Sequence, residues 1–365
     1  MTTDHNKENI MRVNVAPRDF LMNVLQGSAQ AIPFALLPYA ILAVFLQLFP
    51  QNQFAKEMLV VIKGFQFLTP IMTGFLIGNR FGLTALQQAA VGGAAMIGSG
   101  AVAYIGATVG GQDMHVFQLA GIGDLINTML TAALAVYMIM LVGDKFGSLN
   151  LILLPILIGT GIGYFSYKVM LPPVSQINHL IGEVINSFTT LQPFIMNLLI
   201  CMAFSLIIIS PISSIAIALA IGLDGSAAGA AGMGVATCMI YMTIATALNK
   251  ENKKGVPIAV ALGAVKMLMP NLFSYPKIMI PIMLSAAITS IPVTLFHIIG
   301  TPQSGGFGII GMVSPIASLE GEGMSVPLML VCWLVIPIVV SFAVHWIFEH
   351  YVKIYSEEAY VYHAE

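Results

Sequence analysis

The sequence predicts an all-α polytopic membrane protein of about ten transmembrane helices, with re-entrant hairpins and one interfacial amphipathic helix. Three observations predict it. The chain of 365 residues is 58% hydrophobic and only 8% charged, with a mean hydropathy of +0.91, whereas an ordinary globular chain carries about 25% charged residues. So few charges do not cover a water-facing surface. Long apolar runs recur along almost the whole length, which is the pattern of spanning helices and not the short alternating segments of a barrel. Finally, the irregular stretch "GTPQSGGFGIIGMVSPIASLEGEG" (300–323) lies between two such runs. Backbone that is not helical is tolerated at membrane depth only where protein buries it or water reaches it.

In chain order, the polar start "MTTDHNKENIMRVNVAPRDF" lacks a signal-peptide pattern, so the first span is expected to stay in the mature protein. "APRDFLMNVLQG" (16–27) reads as a short interfacial helix, with Phe20, Leu21, Val24 and Leu25 on one face. Spans are expected at about 28–49, 56–78, 83–109, 121–143 and 149–171. Residues 172–190 carry an apolar stripe of Ile177, Leu180, Ile181, Val184, Ile185 and Phe188, with Gln176, Asn178, Glu183 and Asn186 mostly off it. That is an amphipathic connector in the interface. The second half is less regular. A run over 192–222 breaks at "SPISS", and "GSAAGAAGMG" opens a span ending near Leu248. A short run over 257–270 contains Lys266, and spans follow at 277–299 and about 325–348. The expected organisation is therefore a cytoplasmic N-terminus with its interfacial helix (1–27), a five-span half (28–171), the connector (172–190), a half with broken and re-entrant helices (191–348) and a C-terminal tail (349–365).

Basic residues set the orientation. Arg12 and Arg18 place the N-terminus in the cytoplasm, as Lys250, Lys253 and Lys254 place their loop. Arg80 and Lys145 then fall inside, the 110–120 loop falls outside, and Lys56 is the exception. Gly159 with Gly163, and Gly225 with Gly229, are small-residue pairs that let helix backbones approach in lipid.

The chemistry begins with exclusions. Gly306, Gly308 and Gly311 form a literal GxGxxG, but a dinucleotide turn needs a strand before it and a βαβ unit around it, and both flanks here read as spans. Cys201, Cys238 and Cys332 all lie in apolar runs, so they read as buried small hydrophobes, not as a zinc site or disulfide framework. No basic cluster suggests a nucleic-acid partner, and no cofactor, metal or catalytic group is expected. If 300–323 lines a cavity, its amides with Thr301, Gln303, Ser304, Ser314, Ser318 and Glu320 are available to a small polar substrate. The alternative is a plain extramembrane loop. Lys266, His297 and Asn271, which follows Pro270 at a helix break, are the other candidates, because ionisable groups inside spans mark functional cavities. Lys266 also fits a snorkelling side chain, and His297 an interfacial one. Lys63 and Gln66 are similar but nearer an end, and Asp124 fits a helix start.

The "GTPQSGGFGIIG" stretch, the insert after five spans and the acidic segment before the final span resemble the membrane (IIC) component of the sugar phosphotransferase system. The chain looks most like its stand-alone branch, which includes regulators of a clostridial pore-forming toxin. The resemblance implies a bacterial multi-pass cell-membrane protein and a homodimer, with the first half serving dimerisation and the second carrying substrate. It implies a glutamate on a re-entrant hairpin and a nearby histidine on sugar hydroxyls, for which Glu320, by its place in the segment, and His297, which no motif aligns, are the candidates here. A phosphorylating system also needs a nucleophilic cysteine, and these cysteines lack the exposed, activating setting of one, so the chain alone is not expected to be an enzyme: either separate cytoplasmic phosphotransferase subunits dock on it, or it transports without phosphorylation. Two function classes stay open: a carrier for a sugar or other polar metabolite, and a sensor that binds a ligand in the same pocket without moving it. A carrier of an amphipathic, lipid-like molecule is a third.

Overall fold

The computed structural model describes residues 15–363, apart from 48, 50, 110, 111, 143, 144 and 146. Arg12, on which the orientation partly rests, lies outside them. The chain is predominantly helical, and its helices run in the order α1 (Pro17–Gln47), α2 (Gln53–Gln66), α3 (Thr69–Arg80), α4 (Ala85–Gly98) and α5 (Leu125–Val142). The long α6 (Gly147–Phe188) follows. Then come α7 (Pro193–Ile207), α8 (Ser214–Ala220), α9 (Gly225–Leu248), α10 (Gly255–Ala261) and α11 (Met269–Ser274). The last are α12 (Pro276–Leu295), α13 (Val313–Ser318) and α14 (Val326–Val352). Among the described residues, six helices are long and apolar enough to cross a bilayer, or seven if α2 and α3, bent by 43° at their junction, form one span. About ten were expected. The difference arises because several apolar runs are divided among helices too short to cross.

Three runs fold differently from the sequence expectation. The surface helix and first span merge into one helix, α1. The run read as a span over 83–109 ends as a helix at Gly98. Residues Val102–Val109 (β1) pair antiparallel with Gln112–Leu119 (β2), with Tyr104 opposite Phe117. Gly100 takes φ 71°, and a Cβ on Gly98 would lie 2.4 Å from the Thr131 hydroxyl, so helix α4 closes there against α5. The amphipathic connector is not a separate element, since α6 runs through Pro172 and Pro173 without ending. The stretch Ser166–Met170 just before them is wound as a π-helix, and its wider turn makes room for rings that otherwise clash with the preceding carbonyls. The apolar stripe divides: Ile181, Ile185 and Phe188 join a core, whereas Ile177, Leu180 and Val184 stay exposed.

The chain forms two compact units. The first comprises described residues up to Leu36 together with Val60–Gln176. Here α3, α4 and α5 pack on one another, and α4 packs on the Pro155–Ile162 part of α6. A Cβ on Gly163 would lie 2.9 Å from Ile97, the close approach that its small-residue pair allows. Asn127 ties three elements together, donating to Gly98 O at 2.6 Å and to the Ser166 hydroxyl at 3.2 Å.

The second unit comprises Leu37–Leu59 and Ile177–Glu365. Its axis is α9, which packs on α7, α12 and α14 and is buried on almost every side. A helix that is apolar or small all round is a core helix, and its glycines and alanines make that possible. A Cβ on Gly234 would lie 2.1 Å from Cys201 O on α7, and one on Gly229 would lie 2.3 Å from Ile298 O. The unit's outside stays oily, with Ile338, Val339, Phe342 and Trp346 of α14 exposed. That is the surface a bilayer requires.

The segment after α14 folds back onto this unit. Asn271 donates to Ala359 O at 3.0 Å and Val361 O at 2.7 Å. Asn252 donates to Tyr360 O and accepts from Tyr362 N, both at 2.8 Å, and Asn249 reaches Glu357 O. Tyr360 is thereby inserted beside α9, its hydroxyl 2.9 Å from that of Tyr241. Burial, then the neighbouring Tyr241 and Tyr355, push the Tyr360 hydroxyl well above its ordinary pKa, so it stays neutral.

Candidate substrate site

The 300–323 segment is not a free loop, and only its Val313–Ser318 part (α13) is α-helical. Gly300 N donates to Gly225 O at 2.9 Å, bridging it to the start of α9. Thr301 and Ser304 close a turn on each other, Thr301 N to Ser304 Oγ at 2.8 Å and Ser304 N to Thr301 Oγ1 at 3.2 Å. Ser314 Oγ then donates to Ser304 O, and Ser214 Oγ to Gly306 O, both at 2.7 Å. Trp333 Nε1 donates to Ser318 Oγ at 3.0 Å. The glycines have a packing reason. A Cβ on Gly306 would lie 2.5 Å from the backbone of Ile215, and Gly308, at φ 59°, passes 2.7 Å from Ala236 N by the same measure. Backbone threaded this closely between α8 and α9 needs residues without side chains.

The predicted site residues fall into three groups. Thr301, Ser304 and Ser314 form the connected turn just described, with Ser304 and Ser314 buried. His297, Gln303 and Glu320 are exposed. His297 sits at φ 47° because it terminates α12: Ile298 N reaches back to Val293 O at 3.0 Å, a left-handed helix closure usually made by glycine. His297 and Glu320 border the same turn, since a Cβ on Gly321 would lie 3.3 Å from His297 O. Asn271 is apart from them, holding the C-terminal segment. Lys266 is also apart, buried on the turn Ala264–Leu268 and donating to the carbonyls of Ser210 and Ile212.

An open cavity of about 250 Å³ lies at the start of α9, lined by Asn186, Thr189, Met196, Ile221, Gly222, Leu223, Asp224, Ser226 and Ala227. Its polar wall is organised. Asn197, fully buried, donates to Thr294 Oγ1 at 3.0 Å and accepts from Ser226 Oγ at 3.0 Å, which fixes α7, α12 and α9 behind the cavity. Asp224 occupies the N-cap position of α9 yet makes no capping hydrogen bond with its side chain. Its carboxylate is left to face solvent and the cavity. Carboxylate, amide and hydroxyl groups around a small apolar floor suit a neutral polyhydroxylated molecule.

A family model described as "Phosphotransferase system, EIIC" matches residues 22–361, nearly the whole chain. The chain belongs to the phosphotransferase system EIIC family. EIIC membership and the apolar helices make it a multi-pass membrane protein that is sugar-transporter-like at family level. No curated protein and no solved structure matches it. The EIIC match takes in both units, the glycine-rich segment and the cavity. Asp224, Ser226 and Asn197 were not singled out from the sequence. The available signal was "LDGS" ahead of a small-residue helix, an N-cap pattern whose capping role, for Asp224, the structure does not use.

Proposed function

We propose that this EIIC-family chain is a carrier that moves a sugar or similar small polar metabolite across the bacterial cell membrane by alternating access. The observation that supports it best is the cavity at the start of α9, with the uncapped Asp224 carboxylate and the Asn197–Ser226 pair behind it. At about 250 Å³ it is smaller than the roughly 300–1,000 Å³ of drug-sized sites, which fits a monosaccharide-sized ligand. On this reading the substrate enters the second half of the chain, Glu320 and His297 engage it from the neighbouring turn during the cycle, and the first half supports a homodimer. The N-terminus is cytoplasmic. Cys201, Cys238 and Cys332 are buried, so phosphorylation of the substrate falls to separate cytoplasmic phosphotransferase subunits.

The experiment is uptake of radiolabelled monosaccharides into liposomes holding the purified chain, beside a thermal-shift screen of the same compounds. A ligand that binds the folded state raises its melting temperature. Saturable uptake of a compound that also stabilises the protein is the expected result. Stabilisation with no uptake, in the presence of phosphotransferase subunits as well, refutes transport and leaves a ligand sensor.

A further inference from the structure

Between α7 and α8 the backbone is unwound over 208–213. Pro211 has no N–H, and the residue before a proline is steered away from helix. Ala216 N, which in a continuous helix binds Ile212 O, donates instead to Ser213 Oγ at 3.2 Å. The carbonyls of Ser210 and Ile212 are thus released from helical bonding, and both point at one atom, the Lys266 ammonium nitrogen, 2.8 Å from Ile212 O. Lys266 is only 7% exposed. Among the described residues no carboxylate pairs with it, and its two hydrogen bonds both go to peptide carbonyls. Gly263, at φ 121°, bends the chain into the short turn that presents the lysine.

Unwound carbonyls at the end of a broken helix are the ligands by which membrane carriers and channels replace the water around a small cation. We infer that the Ser210–Ile212 carbonyl pair is a monovalent-cation site, which the chain fills with its own Lys266 ammonium. The tether makes the bound charge independent of the salt outside. If the chain is a carrier, a point that rests on the reading above, its cycle draws on no sodium or potassium gradient through this site.

The test uses the full-length protein and does not depend on transport. Lys266→Ala empties the site, and its thermal unfolding is compared in chloride salts of choline, sodium, potassium, ammonium and methylammonium at equal ionic strength. A melting temperature lowered in choline and restored by several degrees, saturably, in at least one small cation supports the inference. Lys266→Met, which fills the space with an uncharged stem, is expected to melt alike in all five salts, as is the wild type. Equal melting of Lys266→Ala in every salt overturns the proposal, as does the same cation dependence in Lys266→Met. If Lys266→Ala is recovered folded only in a small-cation salt, the proposal is supported. Aggregation in all five overturns it.

Discussion

Replacing Gly234 by alanine is a sharp test of how α9 is built. The new Cβ would lie 2.1 Å from Cys201 O and 2.9 Å from Cys201 C. Both are backbone atoms of α7, so no rotamer change relieves the clash. The two helices must separate by about 0.9 Å locally to bring that contact to 3.0 Å. Overpacking of this kind costs about 1–3 kcal/mol, offset by the roughly 0.5–1 kcal/mol that alanine contributes over glycine within a helix. The net expectation is about 1.3 kcal/mol of destabilisation at the middle of both ranges, within limits of about 0–2.5 kcal/mol. Gly93→Ala on α4 is the matched control. Nothing lies within 4 Å of its added Cβ, so only the helix term acts and the protein should gain about 0.5–1 kcal/mol. Thermal unfolding in detergent followed by circular dichroism reads both, and a thiol-reactive fluorogenic maleimide reports separately on the second unit, where Cys201, Cys238 and Cys332 are buried until the fold opens. A Gly234→Ala protein that melts at or above the wild type refutes the close-approach reasoning.

Asp224→Asn should weaken binding of any cavity ligand about tenfold, the effect of losing roughly 1.4 kcal/mol from a charged hydrogen bond, with the melting temperature of the free protein unchanged. Isothermal titration with a compound from the stabilisation screen checks it, and undiminished affinity removes Asp224 from the site. Glu320→Gln should lower uptake while leaving the protein folded, with Glu322→Gln tolerated, and equal uptake by the two variants counts against Glu320. Asn271→Leu removes two hydrogen bonds to the C-terminal segment, each worth about 0.5–1.5 kcal/mol. Tryptic cleavage after Lys353 should become faster, and an unchanged cleavage rate shows that the segment is held by other contacts.

Much of the helical framework was legible because apolar composition over long runs permits little else in a bilayer. The break at "SPISS" and the irregularity of 300–323 were legible for the same reason, since Pro211, Pro302 and the glycines oppose continuous helix. What the glycines are for was less visible. Gly306 and Gly308 read as possible ligand-binding backbone, but their spacing is set by Ile215 and Ala236, residues about 70 to 90 positions away in the sequence. Non-local contact of that kind leaves no local pattern. The hairpin was missed because "VAYIGATV" is as apolar as a helix end. The Gly98-Ser99-Gly100 stop and Gly110-Gly111 between two runs were the turn signals available. At the cavity, Asn186, Met196 and the Asp224–Ser226 stretch lie apart in the sequence, and only folding brings them together.

The returning segment 353–363 has a consequence for the order in which this protein is completed. Tyr241 lies in the middle of α9, yet its hydroxyl partners are His345, Tyr355 and Tyr360, all of which leave the ribosome more than a hundred residues later. Through the insertion of every intervening helix, that phenol waits without its native partners. The second unit is therefore finished from its far end, like a case shut by its last latch. A chain halted before Tyr355 holds every long apolar helix and still lacks two of the three groups that satisfy the centre of its core.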